Sequence, residues 1–205
     1  MARTGAVKTE RTGGLREAQR ALTRERLVDA AVALFARRGF RAVTVEQIAA
    51  EAGANRATFY LHFRSKEDVA NAIGDRLAPN IQAMFAALDA LERPTVDDVR
   101  AWLVEHMAEQ TDERRNLLAV ATEANVADPQ LADDYLRFIN LFIDAMPNYL
   151  GRFGEGERPA ARTRMLMQMV QFERLSYVIV VQRASAPLDP LLDALALSWW
   201  RLLTE

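Results

Sequence analysis

Arg56, Thr58, Tyr60 and His62 stand within seven residues of one another, and all four donate hydrogen bonds of the kind that phosphate oxygens and base edges accept. Catalytic chemistry finds less support. The chain has two histidines, His62 and His106, which fall in different expected domains, and it has no cysteine. His106 adjoins Glu105, but neighbours on a helix point about 100° apart and need not share a site. No HExxH, glycine-rich phosphate loop or GxSxG occurs. A small helical enzyme is therefore a remote alternative, and neither a metal nor a cofactor is expected.

A donor row needs a rigid element to present it, and the flanking residues supply one. Thr44 followed by Gln47 is a capping box, so a helix starts at Val45. Ile48, Ala49 and Ala52 give that helix a small apolar face. Gly53 can take the left-handed conformation of a tight turn, and Asn55 caps a second helix. Phe59 and Phe63 point to the core, which leaves the donors on the other face. Two short helices around one glycine form a helix-turn-helix, whose second helix reads the major groove.

From Thr23 to Ile73 the sequence resembles the TetR family of bacterial transcription regulators. The likeness rests on Thr23-Arg24-Glu25-Arg26-Leu27, Ala30-Ala31, Leu34-Phe35 and Gly39-Phe40. It continues through Thr44, Ile48-Ala49, Ala52-Gly53, Ala57-Thr58-Phe59-Tyr60, His62-Phe63 and Ser65-Lys66-Glu67. Ala54 and Asn55 depart from the valine and serine usual there, and neither change removes a donor. The resemblance implies that Arg56 reads bases, with Ala57 close to the groove floor. It also implies that Thr44, Thr58, Tyr60, His62 and Lys66 hold phosphates.

Charge is unevenly spread over the 205 residues. Residues 1–66 hold 13 Lys/Arg against 6 Asp/Glu, net +7, whereas residues 67–205 hold 13 against 22, net −9. A basic head on an acidic body orients a molecule on a duplex, because phosphate neutralisation supplies most non-specific affinity. Residues 1–22, with Gly13-Gly14 and five basic side chains, are expected to be a disordered arm able to track the minor groove. Residues 23–66 are the expected DNA-binding domain. No leader-like apolar stretch opens the sequence and no segment of eighteen residues lacks charge, so no membrane contact and a cytoplasmic location are expected.

Residues 67–205 are expected to form a helical ligand-binding and dimerisation body, giving an all-α chain of about nine helices. Ser65 caps a long helix to about Glu92, with an apolar seam from Val69 to Leu91 and Gly74 as its weak point. Further helices are expected near 95–110, 112–126, 129–153 with a bend at Pro147, 158–184 and 189–204. Leu188, Leu192, Leu195, Trp199 and Leu202 keep a four-three-four-three spacing, expected to be a homodimer seam. Trp102, His106, Phe138, Phe142, Met146, Met169 and Phe172 lie on inward faces, either as plain core or as the lining of an apolar pocket. Gln110, Asn116, Asn140, Gln168 and Glu173 are polar residues near those faces. With the resemblance, the expected function is a homodimeric repressor on a palindromic operator, released by an apolar or amphipathic small molecule. A regulator or activator that senses no ligand is the alternative.

Overall fold

The computed structural model describes residues 6–108, 112–127, 131–185 and 187–205. They form ten α-helices and two π-helical turns, with no strand among the described residues. The all-α expectation holds. Two compact units divide inside one helix, Met1–Ala72 and Ile73–Glu205.

The first unit is built on α1 (Ala6–Arg38), α2 (Val45–Glu51) and α3 (Arg56–Tyr60). Of the segment expected to be a disordered arm, residues 1–5 lie outside the described residues, and the chain from Ala6 onward is helix. Residues such as Gln19, Arg20, Ala21 and Leu22 are good helix formers, and extending an existing helix costs far less than nucleating one. Leu27, Ala31, Leu34 and Phe35 recur at three- and four-residue steps and are all buried. Beyond α1, Phe40 packs its ring 5.0 Å from that of Phe35. Val43, Ile48, Ala49, Phe59 and Phe63 complete this core.

The helix α4 (Lys66–Asp89) has residues in both units. Ser65 Oγ accepts from Asp68 N at 3.3 Å and caps it. Gly74, expected as its weak point, is not the only one, because Pro79 also lies inside the helix. Proline has no N–H to give the carbonyl of Asp75, so the ladder lacks one bond there. At Gly74 an added Cβ would stand 3.7 Å from the Phe138 ring, which is ordinary contact.

The second unit continues with α5 (Val96–Leu103), α6 (Asp112–Ala127), α7 (Leu131–Asp144), α8 (Pro147–Gly151), α9 (Arg158–Ser176) and α10 (Leu188–Thr204). The expected bend at Pro147 is a break into two helices. Asp89 fixes it: its carboxylate accepts from Asn148 N at 2.7 Å and Tyr149 N at 2.8 Å, satisfying orphan donors of α8. The helices α5 and α9 each run on into a π-helical turn, over Val104–Ala108 and Tyr177–Val181.

Phe85 is the hub of the body core. Its ring lies 5.6 Å from Trp102, 6.0 Å from Phe142, 6.2 Å from Phe172 and 5.9 Å from Trp199. These separations and tilts suit attractive aromatic pairs. Trp199 belongs to this cluster, so of the dimer seam expected at Leu188, Leu192, Leu195, Trp199 and Leu202 the three most buried members face their own chain. Leu192, Leu195 and Trp199 are buried within the single chain, and Leu188 and Leu202 pack beside them. A heptad-like stripe specifies burial but not which helix does the burying. Here α5 lies against α10, and Arg100 ties the two together through Asp189 at 2.7 Å and Asp193 at 2.6 Å.

Trp199→Ala should lower unfolding free energy by about 3–5 kcal/mol, as large-to-small core changes do. In urea titrations at several protein concentrations the loss should be the same at each, because the indole is buried by its own chain. A loss that appears only at dilute protein would restore the seam to a subunit interface.

Candidate nucleic-acid interface

Helix α2 is capped at its start by side chains and closed at its end by a glycine turn and an arginine from α1. Thr44 Oγ1 accepts from Gln47 N at 3.3 Å while Gln47 Oε1 accepts from Thr44 N at 3.0 Å, completing the capping box. Gly53 then takes φ +67°, and Ala54 N donates to Ala49 O at 2.8 Å. Arg26 reaches from α1 to donate to Ala52 O at 2.8 Å, with its Nη2 only 3.0 Å from where a Cβ on Gly53 would sit. Any other residue at position 53 would therefore be strained and would push away the arginine that caps α2.

Asn55 starts α3. Its Oδ1 accepts from Thr58 N at 2.8 Å and from Thr58 Oγ1 at 3.1 Å. The Thr58 hydroxyl proton is thus donated to the Asn55 cap at the surface of the head. Phe59 is completely buried, and its ring stands 5.8 Å from Phe63 and 5.6 Å edge-on from Tyr60. Burying Phe59 turns Arg56, Ala57 and Tyr60 to solvent, where all three are exposed.

The Arg56 guanidinium is oriented by two neighbours. Glu46 on α2 pairs with it at 3.0 Å, and it lies over the Tyr60 ring at 5.5 Å. A hydrogen bond with Tyr60, then the Glu46 charge, hold its pKa above the ordinary value. A planar, permanently charged fork in a set orientation can grip the N7 and O6 edge of a guanine.

Two expected phosphate holders behave differently. The Lys66 ammonium donates to Phe40 O at 2.9 Å, Val43 O at 3.1 Å and Arg41 O at 3.5 Å, and sits 4.5 Å from the Phe40 ring centroid. Its three protons clamp the loop between α1 and α2, a use that its position in the motif does not disclose. His62 is half-buried, and its pKa is lowered, first by burial and then by Arg20 and Arg24. Thr44 is exposed beside the α2 N-terminus. Glu46 carries no mark in the sequence of its pairing with Arg56, and Arg20 falls in the stretch expected to be a disordered arm. Arg20 donates to Leu61 O at 3.4 Å. The ten-residue separation of Glu46 and Arg56 gave no local signal, because the pair forms only once α2 and α3 are folded.

In the body, the residues expected to line a pocket pack mainly on one another. Phe142, Met146, Met169, Trp102 and Phe172 are buried, Phe138 stacks edge-on to Phe142 at 4.6 Å, and His106 lies edge-on to Trp102 at 5.0 Å. Among the polar neighbours, Glu173 accepts from the Thr122 hydroxyl at 2.5 Å, and Gln168 Oε1 accepts from Ser198 Oγ at 3.1 Å. Asn140 Nδ2 donates to Leu136 O within its own helix. Asn116 is exposed, and Gln110 lies outside the described residues. No described helix is long and apolar enough to cross a membrane, and the described residues contain no cluster of three potential metal ligands.

In the free protein His62 should titrate below the ordinary histidine value, and Arg24→Ala should raise it. The unfolded chain then binds this proton more tightly than the folded chain, so stability should rise with pH through the ordinary histidine range. NMR titration of the two histidines checks this, and a His62 pKa above the ordinary value would refute it. Lys66→Met should weaken the head by about 1.5–3 kcal/mol through its lost carbonyl contacts, which thermal unfolding reads directly.

Residues 27–73 match the family model described as bacterial regulatory proteins, tetR family. The chain is 44% identical over 57 residues to the HTH-type transcriptional regulator TcmR of Streptomyces glaucescens, a match covering 28% of this chain and 25% of that protein. The curated relatives are matched over well under half of their own length. Similarity of fold extends much further. A TetR family transcription regulator from Marinobacter aquaeolei is matched over 90% or more of each chain (91% of this one, 97% of that one) with a TM-score of 0.56 at 16% identity. SmeT, the repressor of the Stenotrophomonas maltophilia multidrug efflux pump SmeDEF, is matched over 88% of this chain and 86% of its own, with a TM-score of 0.51 at 23% identity. SmeT has also been solved as a complex with triclosan. The head segment thus matches the tetR family model, and the fold of the chain is similar to that of solved TetR-family regulators.

Proposed function

We propose that this protein is a transcriptional repressor that binds a near-palindromic operator as a homodimer and is released when a small apolar or amphipathic molecule binds its body. The observation that carries the DNA reading is the exposed face of α3, where Arg56 is held by Glu46 and Tyr60 beside the small Ala57. Arg56 reads a base edge. Thr44, Tyr60 and His62 contact phosphates, while Thr58 and Lys66 hold the head in shape.

Dimerisation is supported by the outward faces of α9 and α10 rather than by the buried stripe of α10. Met167 is 68% exposed and Leu197 38% exposed, on two helices joined by the Ser198–Gln168 hydrogen bond. Large apolar side chains left in water on adjoining helices suit a two-fold contact with a second copy. The effector reading is supported by SmeT, which is seen with triclosan. The closed packing of the described body rings favours a second reading, a regulator of the same operator that senses no ligand.

On a duplex carrying its target, Arg56→Ala should cost about 1–3 kcal/mol per half-site and relax preference at one base pair. Anisotropy titrations on matched and mismatched duplexes read both effects, and unchanged affinity would remove Arg56 from the interface. Half-sites should lie about 34–36 Å apart or a multiple of it. In sedimentation runs, Met167→Glu combined with Leu197→Glu should yield monomers with a folded helical spectrum. A double variant that stays dimeric would rule out this face.

A further inference from the structure

The body carries a groove of about 540 Å³ between α4 and α5, which shares Trp102 with the Phe85 cluster. Met84 and Trp102 form its floor, and the Trp102 indole is fixed there because Nε1 donates to Met84 O at 3.2 Å. Its walls owe their openness to small residues, Ala83 and Ala87 on α4 and Ala101 on α5, all exposed. A flat aromatic and a thioether beneath an open trough make an apolar, polarisable bed.

The rim has one sign of charge. Asp98 and Glu105 line the groove with His106 and Asn80, and no arginine or lysine does. Asp98 keeps its carboxylate charged, since hydrogen bonds from Thr95 lower its pKa. Glu105 and His106 lie in the π-helical turn Val104–Ala108, where the chain departs from the regular ladder at the end of α5. Single π turns inside α-helices recur at functional sites because they re-aim side chains at the expense of helix regularity. Here the departure coincides with the groove's acidic edge.

We infer that this groove is a binding site for an amphipathic organic cation, one with an aromatic or alkyl body of small-molecule size and a delocalised positive charge. The body lies over Met84 and Trp102. The charge is held by Glu105 and Asp98 beside the π face of Trp102, an arrangement that also draws cations electrostatically. An anion of the same shape meets two carboxylates and is excluded. The inference deepens the effector reading by giving it a place and a chemical class, and it can hold even if binding there does not release DNA.

An isosteric pair of ions tests it. In calorimetric titrations of the full chain, tetraphenylphosphonium should bind and tetraphenylborate should not. Ala87→Trp, which fills the trough from an exposed position, should weaken tetraphenylphosphonium by about tenfold or more, equivalent to at least 1.4 kcal/mol. Glu105→Gln should weaken it about three- to tenfold, the range for a partly exposed charge pair. Circular dichroism confirms that both variants remain folded. Comparable binding of the borate would overturn the charge assignment. Undiminished phosphonium binding by Ala87→Trp would overturn the location, and failure of the native chain to bind either ion would overturn the proposal outright. Because none of these measurements includes DNA, they succeed or fail independently of operator release.

Discussion

A helix as short as α3 has no stability of its own in water, since nucleation alone outweighs what a single turn of hydrogen bonds returns. Everything that makes the head useful depends on compensating for that. Asn55 satisfies the orphan N–H of Thr58, Phe59 anchors the middle in the core, and the preceding turn is held by Gly53 and by Arg26 on the Ala52 carbonyl. The Lys66 ammonium closes the far side of the α1–α2 loop by bonding three carbonyls. Only with those contacts in place does the outer face of α3 have a defined direction. Arg56 then becomes a positioned fork instead of a mobile chain.

This division of labour changes the meaning of the polar residues in the motif. Arg56, Tyr60 and Thr44 keep exposed surfaces, whereas Thr58 and Lys66 spend their protons on the fold. Polar side chains close to a recognition helix serve two masters, and spacing alone cannot say which one claims a given hydroxyl or ammonium. His62 stands between the two roles. Its surroundings disfavour the charged form, and phosphate brought near the ring would favour it.

The local parts of this structure were the legible ones. Thr44-Gln47, Gly53 and Asn55 encode caps and a turn through contacts only three or four residues apart, and each forms as expected. The body was legible as helices but not as surfaces. The stripe Leu192, Leu195, Trp199 announces a buried face and is silent on whether α5 of the same chain or a helix of another copy covers it. Phe85, the centre of the aromatic core, carries no signal of that role, because one phenylalanine in a long apolar helix looks like any other. Pro79 sits within a strong helical period, and the helix forms around it because the flanking apolar faces are buried.

The central claim is that α3 presents a DNA-reading surface. Selection of bound sequences from random duplex DNA with the full chain tests it most directly. The account predicts enrichment of one near-palindromic sequence, lost with Arg56→Ala at one base pair of each half-site while the remaining positions persist. Recovery of unenriched DNA from the native protein, or an identical enriched motif from the Arg56 variant, would contradict it.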